Sequence, residues 1–477
     1  MANKAVVRKA SNLEMGKRFS MKSFKFSSRM AGAGITLVML LGVLAGVFYF
    51  HGSSADAHAA NAVAIKSHAV NVSPKYLSAG KQVGSGDVKF RCQTPGAPVR
   101  CYGPSQIRNA YTIQSLLDKG LSGKGRTIVI IDAFQSPTIK HDLHLFDSTF
   151  GLRNPTFNII APYGLTPFDP NDPNQVGWSG EITLDVEWSH AVAPDATIDL
   201  VLALSNQDQD LFNVTKYAVD NNLGDVISQS FGEAETCADP NLLAQEHALY
   251  QEAKQKGITV FASSGDQGAA QPTCDGSTYF LSASTPASDP LVTSVGGTYL
   301  NANPQTGKYQ GEAAWNDSFG ASGGGFSTLY ARPGYQGGFL ANKGRGVPDV
   351  AYNGDVNGGV LTAWSESGQG QNLFFIFGGT SAGSPQWAAL TTIADQAAHG
   401  RLGFINPMLY SIARNPSLYA ACFHDITVGN NTFTGAGSDG NQVTIQGYNT
   451  HTGWDAVTGL GTPIANVLVK VLSGGGR

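Results

Sequence analysis

Charge and cysteine are both scarce in this chain of 477 residues. Lys, Arg, Asp and Glu together make up 14% of it, and the formal net charge is −4. Binding to nucleic acid needs a basic surface, so this charge balance leaves no electrostatic case for a nucleic-acid partner. The five cysteines include no Cys-x-x-Cys pair, which argues against a zinc or thiol-redox site. What is present is a globular composition, with 42% hydrophobic residues and 58 glycines.

The basic residues that do occur are concentrated at the N-terminus. Residues 1–30 hold eight Lys or Arg against one acidic residue, Glu14. Residues 31–50 carry no charge and are long enough to span a bilayer. Ala55–Ala60 then has the small-residue pattern of a signal-peptidase site. We therefore expect residues 31–50 to be the core of a signal peptide or a membrane anchor, with the rest of the chain secreted or held outside the cytoplasm.

The cysteines suit an exported protein. Cys92 and Cys101 enclose a short loop that a disulfide can close. Cys237 and Cys274 lie in two loops that we expect to be neighbours, and Cys422 is left over as a buried free thiol.

Short apolar runs alternate with helical patterns from about residue 100 to the end of the chain. The runs cover residues 127–132, 197–202, 225–230 and 258–262, and the helical patterns cover residues 180–191, 211–221 and 240–256. This order predicts an α/β fold, with a mostly parallel central sheet covered by helices on both faces. Folds of this kind bind ligands beyond the carboxyl ends of the strands. Residues 51–99 are expected to be a linker or short pro-segment, and residues 100–477 one domain.

The strongest chemical pattern is a serine that follows two glycines. A strand predicted over Leu373–Phe377 leads through Gly378 and Gly379 to Ser381, just before a helical pattern at residues 386–398. The glycines let a substrate approach the backbone, and a serine at a helix start has a free N–H that can stabilise an oxyanion. The alternative is that Ser381 is only a helix N-cap.

A nucleophilic serine needs a base within hydrogen-bond reach. Glu181 and Asp185 are four residues apart in a predicted helix and so lie on one face, where they can share a proton. His190 is nine residues from Glu181 and falls on the opposite face. Two alternatives stand: the acidic pair is a solvated helix surface, or Asp132, His190 and Ser381 form an Asp-His-Ser triad. Outside that triad, Asp132 is expected to be a structural residue at the end of a strand.

A third carboxylate lies between glycines, after the strand predicted at residues 258–262. An isolated Gly-Asp such as Gly265-Asp266 is most often a turn cap. If it is protonated, Asp266 can instead donate a hydrogen bond to a developing oxyanion. That role requires acid pH or a raised pKa, because an ionised carboxylate would repel the oxyanion.

In this order, the Glu-x-x-x-Asp helix, the Gly-Asp turn and the Gly-Thr-Ser sequence resemble those of the sedolisin family, the serine-carboxyl peptidases. The resemblance covers roughly residues 100–475 and implies a subtilisin-like three-layer fold. It implies Glu181 as general base and acid with Asp185 as its partner. It also implies Asp266 as oxyanion donor and Ser381 as nucleophile. We expect an acid-acting, monomeric enzyme with peptide or protein substrates.

The resemblance also implies one structural calcium ion near the C-terminus. Its ligands would be the Asp425 and Asp455 carboxylates and the carbonyls of Ile426, His451 and Gly453. Carboxylate and carbonyl oxygens are the ligands that Ca²⁺ prefers. His451 stands where the family usually has glycine, but a backbone carbonyl is available from any residue.

Other departures from the family concern the substrate wall and maturation. Phe231 stands where tryptophan is common. About 40 residues separate Phe50 from the catalytic region, too few for the long folded propeptide of many relatives, so we do not expect a zymogen of that kind. Two further functions remain as alternatives: a catalytically inactive secreted binding protein on the same scaffold, and an esterase or acyltransferase using the same residues. The first would need a lost catalytic residue, and all four are present.

Overall fold

A computed structural model of the protein describes residues 66–84, 86 and 88–475. The predictions for residues 1–30, residues 31–50 and Ala55–Ala60 lie outside the described residues. Within the described part, no helix has both the length and the apolar character needed to cross a bilayer.

The described residues contain ten α-helices, four of which pack on the faces of a central sheet. They are α1 (Pro104–Ala110), α2 (Gln114–Leu117), α3 (Ile139–Phe150), α4 (Pro173–Val192), α5 (Asp208–Asp220), α6 (Pro240–Gln255), α7 (Gly383–Ala397), α8 (Asn406–Ala413), α9 (Pro416–Cys422) and α10 (Ala465–Leu472). The helix with the predicted carboxylate pair, α4, begins seven residues before the predicted start at Gly180. Asp172 caps it by accepting the Asn174 N–H, and Pro173 occupies the first helical position.

The strands fall into one large sheet and several small ones. In chain order the first eleven are β1 (Tyr76–Gly80), β2 (Cys101–Tyr102), β3 (Thr127–Ala133), β4 (Thr156–Ile160), β5 (Thr197–Ala203), β6 (Val226–Gln229), β7 (Glu233–Ala234), β8 (Thr259–Ser263), β9 (Ala270–Pro272), β10 (Tyr279–Leu281) and β11 (Ser284–Thr285). The remainder are β12 (Thr293–Ala302), β13 (Tyr309–Ala314), β14 (Gly325–Ala331), β15 (Gly344–Val347), β16 (Val350–Asn353), β17 (Gly359–Ala363), β18 (Phe374–Phe377), β19 (Phe423–His424), β20 (Phe433–Ala436), β21 (Gln442–Ile445) and β22 (Thr462–Pro463).

The central sheet has the strand order β13-β12-β8-β6-β3-β5-β4, and β16 also pairs with β12. All of these pairings are parallel except that of β13 with β12. Alternate side chains of β3 enter two different cores, Ile128 and Ile130 on one face and Val129 and Ile131 on the other. Helices α4 and α7 pack against the first face, and α5 and α6 against the second. The predicted three-layer α/β fold is confirmed.

The four predicted strands are present as β3, β5, β6 and β8, but the predicted alternation does not continue to the end of the chain. From β9 to β18, ten strands follow one another with no α-helix among them. This region is rich in glycine and turns, and it forms short strands and hairpins beside the main sheet. The prediction of alternation was wrong there because short apolar runs do not reveal which partner strand they pair with.

A second sheet has four strands in the order β1-β18-β17-β2. Its strand β18 ends four residues before Ser381, the predicted nucleophile. Its strand β1 comes from the segment predicted as linker or pro-segment and pairs antiparallel with β18, Tyr76 opposite Phe377. The domain boundaries themselves stay a prediction.

The predicted cysteine pattern is confirmed in the described residues. Cys92 is bonded to Cys101 and Cys237 to Cys274, while Cys422 is a buried free thiol.

Candidate active site

Ser381 lies in a single 3-10 turn, Thr380–Ala382, between β18 and α7. Gly379 enters this turn with a φ of 93°, a left-handed conformation that favours glycine. A Cβ on Gly379 would also approach Asp266 Oδ2 to 2.7 Å, so the position has no room for a side chain. The half-buried Ser381 hydroxyl donates to the carbonyl oxygen of Ser230 at 3.3 Å.

The Glu181 and Asp185 side chains lie in the buried middle of α4, where Glu181 is 1% exposed and Asp185 is fully buried. Burial raises the pKa of Glu181 well above its ordinary value, and the nearby Asp185 carboxylate raises it further. A hydrogen bond from the Ser381 hydroxyl acts in the opposite direction and lowers the Glu181 pKa. The pKa of Asp185 is also raised, by burial and by Asp132, while the Ser230 hydroxyl lowers it.

Asp132, at the carboxyl end of β3, is a third carboxyl group in this cluster. It is fully buried, and neither of its side-chain oxygens has a hydrogen-bond partner among the described residues. Burial and the Glu181 charge raise its pKa well above the ordinary range. A buried carboxyl without a partner favours its neutral form. The structure thus places Asp132 near the Glu181 carboxyl, and its interpretation as a structural residue at the end of a strand stays a prediction.

Asp266 follows β8 and contacts Thr380, the residue that precedes Ser381. Its Oδ1 accepts the Thr380 N–H at 2.8 Å and the Thr380 hydroxyl at 2.9 Å. The same hydroxyl oxygen accepts the Gly265 N–H at 3.1 Å. Burial raises the pKa of Asp266, whereas Lys75 and the two Thr380 hydrogen bonds lower it. The net direction is upward.

Three of the four predicted catalytic residues line one cleft: Glu181, Asp266 and Ser381. Asp185 lies behind Glu181 and affects its pKa. Phe231, predicted to form a substrate-side wall, lines the same cleft. The roles given to these residues stay predictions, but the structure brings their side chains together at the carboxyl ends of β3, β6 and β8.

His190 does not belong to this cluster. Its Nε2 lies 3.1 Å from Asp147 Oδ1 of α3, and both side chains are buried. An Asp132, His190 and Ser381 triad would need His190 beside the serine, where the structure places Glu181 instead.

The predicted calcium ligands lie in two C-terminal loops that contact each other. The Gly453 N–H donates to the Asp425 carboxylate at 3.0 Å, and the His451 N–H to Asp455 Oδ2 at 3.2 Å. Burial raises the pKa of Asp455 to about 6. The described residues hold no cluster of three or more His, Cys, Asp or Glu side chains suited to a metal. The two carboxylates, with the carbonyls of Ile426, His451 and Gly453, nevertheless fit a hard cation by their chemistry.

Comparison with known proteins relates the chain to a group of peptidases. The model of the subtilase family matches residues 171–405. Kumamolisin of Bacillus sp. strain MN-32 is 32% identical over 396 residues, which are 80% of this chain and 66% of kumamolisin. Sedolisin of Pseudomonas sp. strain 101 is 34% identical over 355 residues, 70% of this chain and 56% of sedolisin. This chain thus spans less than two thirds of the length of either relative.

A solved structure gives the same relationship. Pseudomonas sedolisin, a serine-carboxyl proteinase complexed with two molecules of pseudo-iodotyrostatin, matches with a TM-score of 0.66 and 29% identity. The match covers 80% of this chain and 100% of that one.

Proposed function

The chain belongs to the sedolisin family of serine-carboxyl peptidases, and we propose that it hydrolyses peptide bonds through an acyl-enzyme on Ser381. The observation that carries this proposal is the cleft lined by the buried Glu181 carboxyl, the Ser381 hydroxyl and Asp266, in which the Ser381 hydroxyl lowers the Glu181 pKa. A base beside the serine hydroxyl is what a serine nucleophile requires.

In the proposed reaction, Ser381 Oγ bonds to the substrate carbonyl carbon as Glu181 accepts the hydroxyl proton. Protonated Asp266 and the Ser381 N–H donate to the developing oxyanion. The oxyanion then collapses, the C–N bond breaks, and Glu181 returns the proton to the leaving amine. A water molecule repeats the sequence on the acyl-enzyme and frees Ser381. Asp185 holds the proton that it shares with Glu181 and so keeps one member of the pair ionised.

This mechanism needs acid conditions for two reasons. Asp266 stabilises an oxyanion only while it is protonated, and its pKa is raised by burial. The Glu181 and Asp185 pair must hold one proton between two carboxyls, a state that is lost once both ionise. The proposed enzyme is therefore most active below neutral pH.

The proposal includes a location and a metal. The basic residues 1–30, the uncharged residues 31–50 and the two disulfides suit an enzyme that works outside the cytoplasm, secreted or anchored by residues 31–50. One Ca²⁺ held by Asp425 and Asp455 would supply charge neutralisation between two C-terminal loops, a structural contribution remote from the peptide-cleaving residues.

The test is peptidase activity of the full chain in calcium between pH 2.5 and 8, for wild type and three variants. We expect Ser381→Ala and Glu181→Gln to lower kcat/KM by at least about 10³-fold, since each removes a group on which the others depend. Glu187→Gln is the matched control, because Glu187 is a buried α4 carboxyl that accepts the Ala363 N–H at 2.9 Å outside the cleft. Activity that peaks above pH 8, or that survives in Glu181→Gln, would refute the mechanism.

A further inference from the structure

A second pocket with an apolar floor lies beside the catalytic cleft. The floor is formed by side chains of α5, α6 and the segment after β6, namely Leu211, Phe212, Phe231, Leu242 and Leu249. Phe231 and Gly232 line the catalytic cleft as well, so the pocket and the cleft share a wall. A peptide bound in the cleft can therefore extend one of its side chains into this pocket.

Three carboxyl groups line the same pocket, which we call the acidic pocket: Asp208, Glu233 and Glu246. No Lys, Arg or His is among the described residues that line it. Asp208 is 5% exposed, and its buried Oδ2 has no hydrogen-bond partner among the described residues. A buried acceptor of this kind is costly unless a donor binds it. The acidic pocket therefore contains an unfilled position for a hydrogen-bond donor.

The carboxyl groups of the acidic pocket also raise one another's pKa values. Burial raises the pKa of Glu233 to about 8, with a contribution from Asp208, and burial raises the pKa of Glu246 to about 8 as well. The titratable groups that act on Glu246 are Asp289, Glu233, Asp208 and Tyr250. Asp289 Oδ2 itself lies 2.8 Å from His247 Nδ1. Since the lining residues supply no cation, Glu233 and Glu246 ionise readily only when a positive charge enters the pocket.

The chain shows how an extended peptide reaches this pocket. The Val70 N–H donates to the Asn206 carbonyl at 2.7 Å, and the Asp208 N–H donates to the His68 carbonyl at 2.8 Å. The Val70 side chain is 4% exposed and packs in the acidic pocket, while Asn71–Pro74 line the catalytic cleft. Main-chain bonds with one side chain in a pocket are typical of bound extended peptides. The acidic pocket thus lies on the N-terminal side of a peptide that reaches Ser381.

The chemistry of the pocket selects one class of side chain. Lys and Arg join an apolar stem to a cationic end, so the stem can pack on apolar side chains while the end contacts charged groups. The acidic pocket offers both surfaces, an apolar floor and three carboxyl groups. A Met side chain matches the stem but brings no donor to Asp208 Oδ2 and no charge to Glu233 and Glu246.

We propose that the acidic pocket is a specificity subsite for a Lys or Arg side chain of the substrate, on the N-terminal side of the bond that Ser381 cleaves. The inference rests on the proposed function and names its substrate class. The substrate main chain takes the path that residues 67–70 show and occupies their place. Its cationic end donates to Asp208 Oδ2 and forms an ion pair with Glu233 or Glu246.

The first experiment tests the pocket without any measurement of activity. Val70→Lys in the full chain places an ammonium in the acidic pocket, and Val70→Met places a neutral side chain of similar shape there. A carboxyl that gains a cationic partner ionises at lower pH, and the stability it contributes increases as the pH rises. We therefore expect Tm of Val70→Lys minus Tm of Val70→Met to increase by at least about 2 °C between pH 4 and pH 8.

Two controls accompany this comparison. Val83 is 70% exposed, so the difference in Tm between Val83→Lys and Val83→Met should stay constant over the same pH range. Glu233→Gln combined with Glu246→Gln should abolish the increase seen at position 70. If Lys at position 70 costs as much Tm at pH 8 as at pH 4, or more, the pocket does not accept a cation and the proposal is refuted.

The second experiment tests the pocket as a substrate subsite. Internally quenched peptides with acetylated N-termini carry Lys, Arg or Met at each of the four positions N-terminal to the cleaved bond. At pH 5 we expect one position at which Lys and Arg give at least about tenfold higher kcat/KM than Met, because a hydrogen bond to a charged group is lost with Met. Acetylation excludes the substrate's own amino terminus as the cation.

Glu246→Gln should lower this preference at least about threefold and leave the Met peptide within about twofold of wild type. Glu252→Gln is the matched control, because Glu252 is a half-exposed carboxyl of the same helix that pairs with Lys256 at 2.7 Å, and it should leave the preference unchanged. Equal rates for Lys and Met at all four positions would refute only the subsite. No cleavage of any peptide by wild type would refute the proposed function, whatever the Tm comparison shows.

Discussion

Replacing Thr380 by valine tests the role of Asp266 through a shift of the pH profile. The valine keeps the shape of the side chain and the Thr380 N–H, which donates to Asp266 Oδ1 at 2.8 Å, but it removes the hydroxyl donor at 2.9 Å. That hydroxyl stabilises the ionised form of Asp266 and lowers its pKa. Its removal therefore raises the pKa, and Asp266 stays protonated to a higher pH.

The size of the effect follows from the strength of the lost bond. A hydrogen bond to a charged group contributes about 1.5–3 kcal/mol, and one pKa unit corresponds to about 1.4 kcal/mol. The alkaline limb of kcat/KM should therefore move upward by about one to two pH units. At the acid optimum Asp266 is already protonated, so activity there should fall only a few-fold, through the lost contact between the Thr380 hydroxyl and the Gly265 N–H.

The assay is kcat/KM against pH for wild type, Thr380→Val, Thr380→Ser and Thr392→Val. Serine restores the hydroxyl and should restore the wild-type limb. Thr392→Val removes a buried hydroxyl of α7 that donates to the Ala388 carbonyl, away from Asp266, and should leave the limb in place. An alkaline limb in Thr380→Val that moves to lower pH would show that Asp266 does not act as a protonated donor, and a limb that stays fixed would show that the Glu181 and Asp185 pair, and not Asp266, sets it.

Three further outcomes follow from the same charges. Burial raises the pKa of Glu233 and Glu246 to about 8 in the folded protein. Such groups stabilise the fold below about pH 4.5 and lose this contribution as the pH rises toward 8. The Tm should therefore be lower at pH 8 than at pH 4, and an equal Tm would contradict this. In the Asp132→Asn variant, the side chain at this position cannot ionise, so Tm should fall less between pH 4 and pH 8 than in wild type. An unchanged dependence of Tm on pH would mean that Asp132 does not ionise in this range. Calcium at about 100 times its Kd should stabilise the folded chain by about 2.7 kcal/mol. The measurement is a rise in Tm that EDTA reverses and that Asp455→Asn abolishes. A Tm that does not change on addition of EDTA would exclude the site.

The parts of the candidate catalytic cluster that lie close together in the chain were predictable from residue spacing. A separation of four residues in a helix places Glu181 and Asp185 on one face, and a separation of nine places His190 on the opposite face. In the structure His190 pairs with Asp147. The Gly-Gly-Thr-Ser sequence required a tight turn after a strand, which is where Ser381 lies. These features depend only on residues that are near in the chain.

Features that depend on distant partners were not predictable. Asp132 joins the cluster because β3 is an interior strand of the sheet beneath α4, an arrangement that no property of residues 127–132 reveals. The path of residues 67–74 along the candidate cleft was hidden for the same reason, since Asn206 Nδ2 donates to Asn71 Oδ1 from a position 135 residues away. Its apolar residues, Val70 and Val72, alternate over too short a stretch to distinguish a bound strand from a linker.

The arrangement of carboxyls links the working pH of the enzyme to the stability of its fold. Glu181, Asp185 and Asp132 raise one another's pKa values in a buried site, so the cluster is accommodated most easily when it carries protons. The catalytic proposal requires the same protons, one shared by Glu181 and Asp185 and one on Asp266. A rise in pH that removes these protons would ionise Asp266, which could then no longer donate to the oxyanion. The same rise would place negative charge in the buried carboxyl cluster. A histidine base acts in its neutral form, near and above neutral pH, so under the catalytic proposal a buried acidic pair in that role would shift both activity and stability toward acid pH.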